Sequence, residues 1–169
     1  MTRIYISAGS NLGDRLGFLQ QGLDAVGQRI GEVLEVSSVV ETIALGFKGN
    51  AFLNGCFLVE TNLPEEEVLQ VLLEIEKQNG RVRTNTKGYK NRTLDLDLLF
   101  YDDKIVKTKA LILPHPELQN RRFVLQPLAE IAPNKIHPVF QKTVLSLLKE
   151  CMDNTPITTH KKKLKINKR

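Results

Sequence analysis

The segment Thr93-Leu94-Asp95-Leu96-Asp97-Leu98-Leu99-Phe100-Tyr101 constrains this chain more than any other. Side chains of a strand alternate between faces, so Asp95 and Asp97 project together while Leu94, Leu96, Leu98 and Phe100 project the other way. A strand with one fully apolar face must be covered by other elements, and the chain supplies them in a readable order. Ile4 to Ala8 reads as a first strand, followed by a turn over Gly9 to Gly13. Asp14 then caps a helix with Leu16, Leu19, Leu23, Val26 and Ile30 at helical spacing. Val33 to Thr42 and Phe52 to Thr61 read as two strands separated by a glycine-containing loop. A second helix has Pro64 and three glutamates at its start, a stripe of Val68, Val71, Leu72 and Ile75, and Asn79-Gly80 at its end. After the aspartate strand come short pairing segments near Lys104 to Lys107 and Leu111 to Leu113. A helix over Asn120 to Glu130 containing Pro127 follows, then a last helix over Thr143 to Cys151. Strand, helix, two strands, helix, strand predicts an α+β sheet with helices packed mainly on one face.

Two carboxylates side by side on an apolar strand repel one another and call for a counter-charge. A hard divalent cation suits them: magnesium takes oxygen ligands and is typically held by one or two carboxylates plus substrate phosphates. An isolated D-x-D triplet is more often a solvated strand face, but its neighbourhood here is unusual. Arg81, Arg83, Lys87, Lys90 and Arg92 precede it within one segment that has no acid, which is the equipment for a polyphosphate. Phosphoryl transfer follows, because positioning and charge neutralisation do most of that chemistry. Glu76 borders the stripe of the second helix, and a solvated glutamate competes evenly with a substrate-orienting one. His115 and His137 lie beside prolines; no metal-ligand spacing joins the three histidines, so zinc is not expected.

The net charge of +5 is concentrated in Thr159 to Arg169, which holds six Lys or Arg; the rest has 18 basic against 19 acidic residues. That end reads as a flexible, solvated tail after a single domain over 1–158. No apolar run could cross a bilayer and no export signal precedes Ile4, so a soluble cytoplasmic protein with reduced Cys56 and Cys151 is expected. A non-enzymatic RNA-binding module is the competing reading, disfavoured because the sheet lacks paired stacking aromatics and the aspartates would repel phosphate without a metal.

The stretches Ala8-Gly9-Ser10-Asn11-Leu12-Gly13-Asp14, Phe52-Leu53-Asn54, Gly80-Arg81-Val82-Arg83, Arg92 to Asp97, Leu113-Pro114-His115-Pro116 and Asn120 to Leu128 together resemble the 6-hydroxymethyl-7,8-dihydropterin pyrophosphokinases of the folate pathway. The resemblance runs from about Ile4 to Pro138 and implies a ferredoxin-like βαββαβ core. It implies transfer of pyrophosphate from ATP to hydroxymethyldihydropterin by a monomer, with no nucleic-acid or membrane partner. Asp95 and Asp97 would hold two magnesium ions, and Arg81 and Arg92 would engage the phosphates. Glu76, Arg83, Tyr89, His115 and Arg121 fall at ATP-site positions. Phe52 and Phe123 would sandwich the pterin, with Asn54 at its rim and Thr42 and Leu45 nearby. Departures from the family pattern occur at Lys90-Asn91, Tyr89, Ala110 and Ile112, which bear on loop closure and adenosine binding rather than on the metal pair.

Overall fold

The protein is described by a computed structural model covering residues 1–42, 51–80 and 92–167. β1 (Thr2–Ser10) leads into α1 (Arg15–Arg29), whose start is fixed by Asp14: its Oδ1 accepts the Gly17 N–H at 3.1 Å. β2 (Gly31–Val36) and β3 (Val40–Thr42) both pair with the long β4 (Phe52–Thr61). α2 (Glu65–Gln78) begins after Pro64 and stops where Asn79 Nδ2 donates to the Ile75 carbonyl at 2.8 Å and Gly80 turns to a φ of 88°. That backbone suits glycine alone. β5 (Asp95–Tyr101) completes the core sheet, and β6 (Val106–Lys107) pairs with β7 (Ile112–Leu113) in a small hairpin. A single 3₁₀ turn, α3 (Arg122–Ile131), α4 (Val144–Glu150) and β8 (Ile157–Thr159) follow.

The sheet order is β5-β1-β4-β3-β8, with β2 also on β4, and every pairing is antiparallel. β1, α1, β2, β4, α2 and β5 therefore form the ferredoxin-like core. The single strand expected over Val33 to Thr42 is two. Ser37 interrupts it: its N–H donates to the Cys56 carbonyl at 3.0 Å and its Oγ accepts the Cys56 N–H at 2.9 Å. β2 can approach β4 because Gly31 has no side chain; a Cβ there would lie 1.9 Å from the Glu60 carbonyl oxygen.

Helices cover both faces, not mainly one. α1 and α2 bury Leu19, Leu23, Val26, Val68, Leu72 and Ile75 against Ile4, Ile6, Phe57, Val59, Leu96 and Leu98. On the opposite face α3 and α4 pack Val124, Leu125, Leu128, Val144 and Leu147 on Tyr5, Cys56, Leu58 and Phe100. Phe100 joins the second cluster because β5 carries a bulge: Ile6 pairs with Leu98 but Tyr5 with Phe100, leaving Leu99 as the extra residue. Phe100 is thereby turned to the face opposite Leu98, where it meets Tyr5 edge to face at 5.9 Å.

The C-terminal segment is another correction. β8 pairs with β3, Leu164 is buried in the α1-side core, and the Gln20 side chain both donates to the Lys165 carbonyl and accepts its N–H. One leucine among lysines supplies an anchor, and the edge of β3 supplies a ladder. Among the described residues no helix is long and apolar enough to cross a membrane.

Candidate active site

The register of the sheet sets the site. Asp97, Ser7 and Cys56 form one cross-strand row, and Asp95, Gly9 and Asn54 form the next; Thr42 and Phe52 pair beyond it. All lie on the face that α3 covers, opposite α1 and α2. A Cβ on Gly9 would sit 2.7 Å from Asn54 Oδ1, so glycine is what lets the Asn54 amide lie over the middle of the second row. Gly9 and Ser10 belong to β1 rather than to the turn expected from Gly9 onward.

Arg92 sits against the start of the aspartate strand. Its Nη1 lies 3.1 Å from Asp95 Oδ2 in a half-buried ion pair. Its backbone is clamped by Asn11, wholly buried in the turn after β1. The Arg92 N–H donates to Asn11 Oδ1 at 2.5 Å, and the Asn11 N–H donates to the Arg92 carbonyl at 3.0 Å. Reading Gly9 to Gly13 as a turn does not reveal these contacts of Gly9 and Asn11; the sequence signal for them is the polar pair Ser10-Asn11 directly after an apolar strand, and the structure buries both. Glu76 is not solvated: it is 1% exposed, and its Oε2 accepts the Leu96 N–H at 2.8 Å, bracing β5 between the two aspartates.

His115 follows the hairpin strand β7. Its N–H donates to the Leu99 carbonyl at 2.9 Å, and its ring Nδ1 accepts the Glu117 N–H at 3.1 Å. Burial pushes the imidazole pKa down to about 4, with the Arg121 guanidinium adding to the effect and Asp95 and Glu117 opposing it. At neutral pH the ring is uncharged. With Nδ1 accepting, its proton is on Nε2, which can donate. Arg121 caps α3 and places its guanidinium 6.0 Å from the centroid of Phe123. His137 is structural: its Nδ1 accepts the Val139 and Phe140 N–H groups, and its ring stacks on Phe140.

Phe52 and Phe123 are both only half buried, one at the start of β4 and one on α3. Beside them the buried Thr42 Oγ1 and Asn54 Nδ2 have no hydrogen-bond partner among the described residues. Leaving such groups unsatisfied costs about 1–3 kcal/mol each, which a ligand with a polar rim would recover. Arg81, Arg83, Tyr89 and Leu45, with Lys87, Lys90 and Asn91, lie outside the described residues.

Asp95 and Asp97 fit a hard cation: both are oxygen donors, partly exposed rather than sealed, with Gly9 and Ser7 as their cross-strand partners on β1. Among the described residues no group of three or more His, Cys, Asp or Glu could hold a metal ion.

Residues 5–133 match the family described as 7,8-dihydro-6-hydroxymethylpterin-pyrophosphokinase. The 2-amino-4-hydroxy-6-hydroxymethyldihydropteridine pyrophosphokinase of Aquifex aeolicus is 36% identical over 84% of this chain and 88% of its own length. The protein of the same name from Bacillus subtilis is 41% identical over 75% and 76%. A longer relative, the folic acid synthesis protein fol1 of Pneumocystis carinii, is 38% identical, and this chain spans 20% of it. Among solved structures, Plasmodium falciparum HPPK-DHPS with pteroate superimposes with a TM-score of 0.73 over 88% of this chain and 42% of that one; at 15% identity it speaks for the fold alone. With 129 consecutive residues inside the family match, this chain belongs to the 7,8-dihydro-6-hydroxymethylpterin-pyrophosphokinases, which carry out pyrophosphoryl transfer to hydroxymethyldihydropterin in folate synthesis.

Proposed function

We propose that the chain transfers the β,γ-pyrophosphoryl group of ATP across the Asp95–Gly9–Asn54 row to a reduced pterin bound between Phe52 and Phe123. The pterin hydroxymethyl oxygen attacks the β-phosphorus, forming the new O–P bond. The bond from that phosphorus to the α,β-bridging oxygen breaks, AMP leaves with the electron pair, and the hydroxyl proton passes to solvent. Two magnesium ions, held by Asp95 and Asp97, would neutralise phosphate oxygens and favour the ionised hydroxyl.

The chain's own groups do the positioning. Arg92, fixed by Asn11 and Asp95, points a fork of donors at the phosphates. Arg81, Arg83 and Tyr89 join it from sequence position, and Arg121 adds a further cation. His115 offers a neutral Nε2–H donor, which adds no net charge beside the arginines. Glu76 acts by holding β5 in place. Thr42, Asn54 and Leu45 contact the pterin, the first two through the buried polar atoms that lack partners among the described residues. The observation that carries this reading is the cross-strand row: adjacent strands are about 4.8 Å apart, so two steps set the backbones of Asp95 and Asn54 about 10 Å from one another, with the Asn54 amide over Gly9 between them. That span suits a hydroxymethyl group reaching from a pterin ring toward a phosphate. A single domain over 1–158, acting as a cytoplasmic monomer without nucleic acid, is part of the same proposal.

The test is product identity. With ATP, magnesium and hydroxymethyldihydropterin, stoichiometric AMP is expected. Stoichiometric ADP would replace this reading with an ordinary kinase, and sedimentation at assay concentration checks the monomer.

A further inference from the structure

Thr42 and Phe52 pair across β3 and β4, and each is preceded or approached in sequence by a residue held from the other side of the sheet. Glu41 faces away from Thr42, and Ala51 comes immediately before Phe52. A single guanidinium nitrogen of Arg15, the first residue of α1, reaches both. Arg15 Nη1 donates to Glu41 Oε2 at 2.5 Å and to the Ala51 carbonyl at 2.9 Å. Arg15 therefore ties the end of β3 to the start of β4 from behind, without touching the face on which Thr42, Phe52 and Asn54 lie.

The tie acts at the end of a short strand: β3 is three residues long, pairing over Val40–Thr42 with β4 on one edge and with β8 on the other. Strands this short hold little on their own, and β4 pairs with β2 rather than β3 from Phe57 onward. Arg15 is itself well placed to be stiff: its N–H donates to the Gly13 carbonyl at 3.0 Å, and Asp14 caps the same helix turn. A charged donor bridging a carboxylate and a carbonyl fixes both more firmly than two neutral contacts would.

We infer that Arg15 is a positioning residue of the pterin pocket, setting the separation of Thr42 and Phe52 through Glu41 and Ala51. The inference rests on the proposal that these residues bind pterin. It predicts a selective effect, since among the described residues the Arg15 hydrogen bonds go to Glu41, Ala51 and Gly13 and not to Asp95, Arg92 or His115.

The test measures equilibrium binding of hydroxymethylpterin, in the presence of magnesium and a non-hydrolysable ATP analogue, to the wild-type protein, Arg15→Ala and Arg15→Lys. Binding of the analogue alone is measured in parallel. Arg15→Ala should weaken pterin binding by about threefold to tenfold, the range for losing a partly exposed charged contact, with analogue affinity within twofold of wild type. Arg15→Lys, which keeps a cation able to reach one acceptor, should recover part of the loss. Unchanged pterin affinity in Arg15→Ala overturns the inference, and so does an equal weakening of both ligands. If Arg15→Ala does not fold, Glu41→Ala removes one acceptor and is read by the same criteria. Failure of the wild-type protein to bind pterin overturns the functional reading, and this inference with it.

Discussion

Asn54 and Asp95 stand two strands apart on one face of the sheet, with Gly9 of β1 between them and the Asn54 amide lying over it. This arrangement makes the middle position the most sensitive test of the site. A methyl group at residue 9 would meet Asn54 Oδ1 at 2.7 Å, and the amide, being the end of a side chain, would move aside. Gly9→Ala should therefore fold but weaken pterin binding by about fivefold or more, the effect of roughly 1 kcal/mol of overpacking. ATP-analogue affinity should stay near wild type. Calorimetry with each ligand checks it, and undiminished pterin affinity would separate Asn54 from the pocket.

Asp97 shares its row with Ser7 and Cys56 and is flanked by β1 on one side. Asp97→Ala removes one of two carboxylates from a platform that holds no third acid among the described residues. Turnover should fall by several kcal/mol in the barrier, on the order of a thousandfold. Magnesium titration of the residual rate provides the check: a wild-type magnesium optimum and rate would sink the metal assignment.

Asn11 supports Arg92 through its backbone, so its removal should damage phosphate binding indirectly. Asn11→Ala leaves the Arg92 N–H without its 2.5 Å acceptor in a buried turn, a loss of about 1–3 kcal/mol. The melting temperature should drop and the KM for ATP should rise more than that for pterin. Asn11→Asp, which retains the acceptor oxygen, should restore much of the ATP KM. Equal changes in both KM values would reduce Asn11 to a purely structural residue.

The core elements were legible because their signals are local. Asp14 before a 3.6-period stripe, Pro64 with its three glutamates, and Asn79-Gly80 each act within one helix turn. Parity likewise put Asp95 and Asp97 on one face. What parity could not show was the bulge at Leu99, which moved Phe100 to the other side, because a bulge is set by the partner strand and not by its own residues. Ser37 broke the expected long strand for the same reason: its bonds go to Cys56, far along the chain. Gly9 and Asn11 were visible as letters but not as functions, since their roles come from Asn54 and Arg92, distant in sequence. Arg81, Arg83, Tyr89 and Leu45 were named from resemblance to the family and fall outside the described residues.

The docked C-terminal segment can be tested through one side chain. Leu164 is 8% exposed and packs in the core beneath α1, between lysines that remain in solvent. Leu164→Ala should destabilise the protein by about 2 kcal/mol or more, as expected for truncating a buried leucine. In a solvated tail the same change would be neutral. Urea unfolding distinguishes the two, and substitution of the exposed Lys162 serves as the control.

His115 gives the site a pH signature whose direction follows from its environment. Its pKa is lowered to about 4 by burial first and the Arg121 charge second, against an ordinary value near 6.5. Between those values the unfolded chain binds a proton that the folded site resists, so stability is highest above about pH 6.5 and declines as pH falls toward 4. The imidazole should stay neutral from pH 8 down to about 5, with the proton on Nε2 because Nδ1 accepts from Glu117. Nitrogen-15 NMR reads both features directly: an Nε2–H tautomer and a midpoint near 4. Replacing Arg121 with Gln removes the second cause and should raise the midpoint without restoring the ordinary value, since burial remains. A midpoint near 6.5 in the wild-type protein would mean that His115 is solvated, and a neutral donor at the phosphates would have to come from elsewhere.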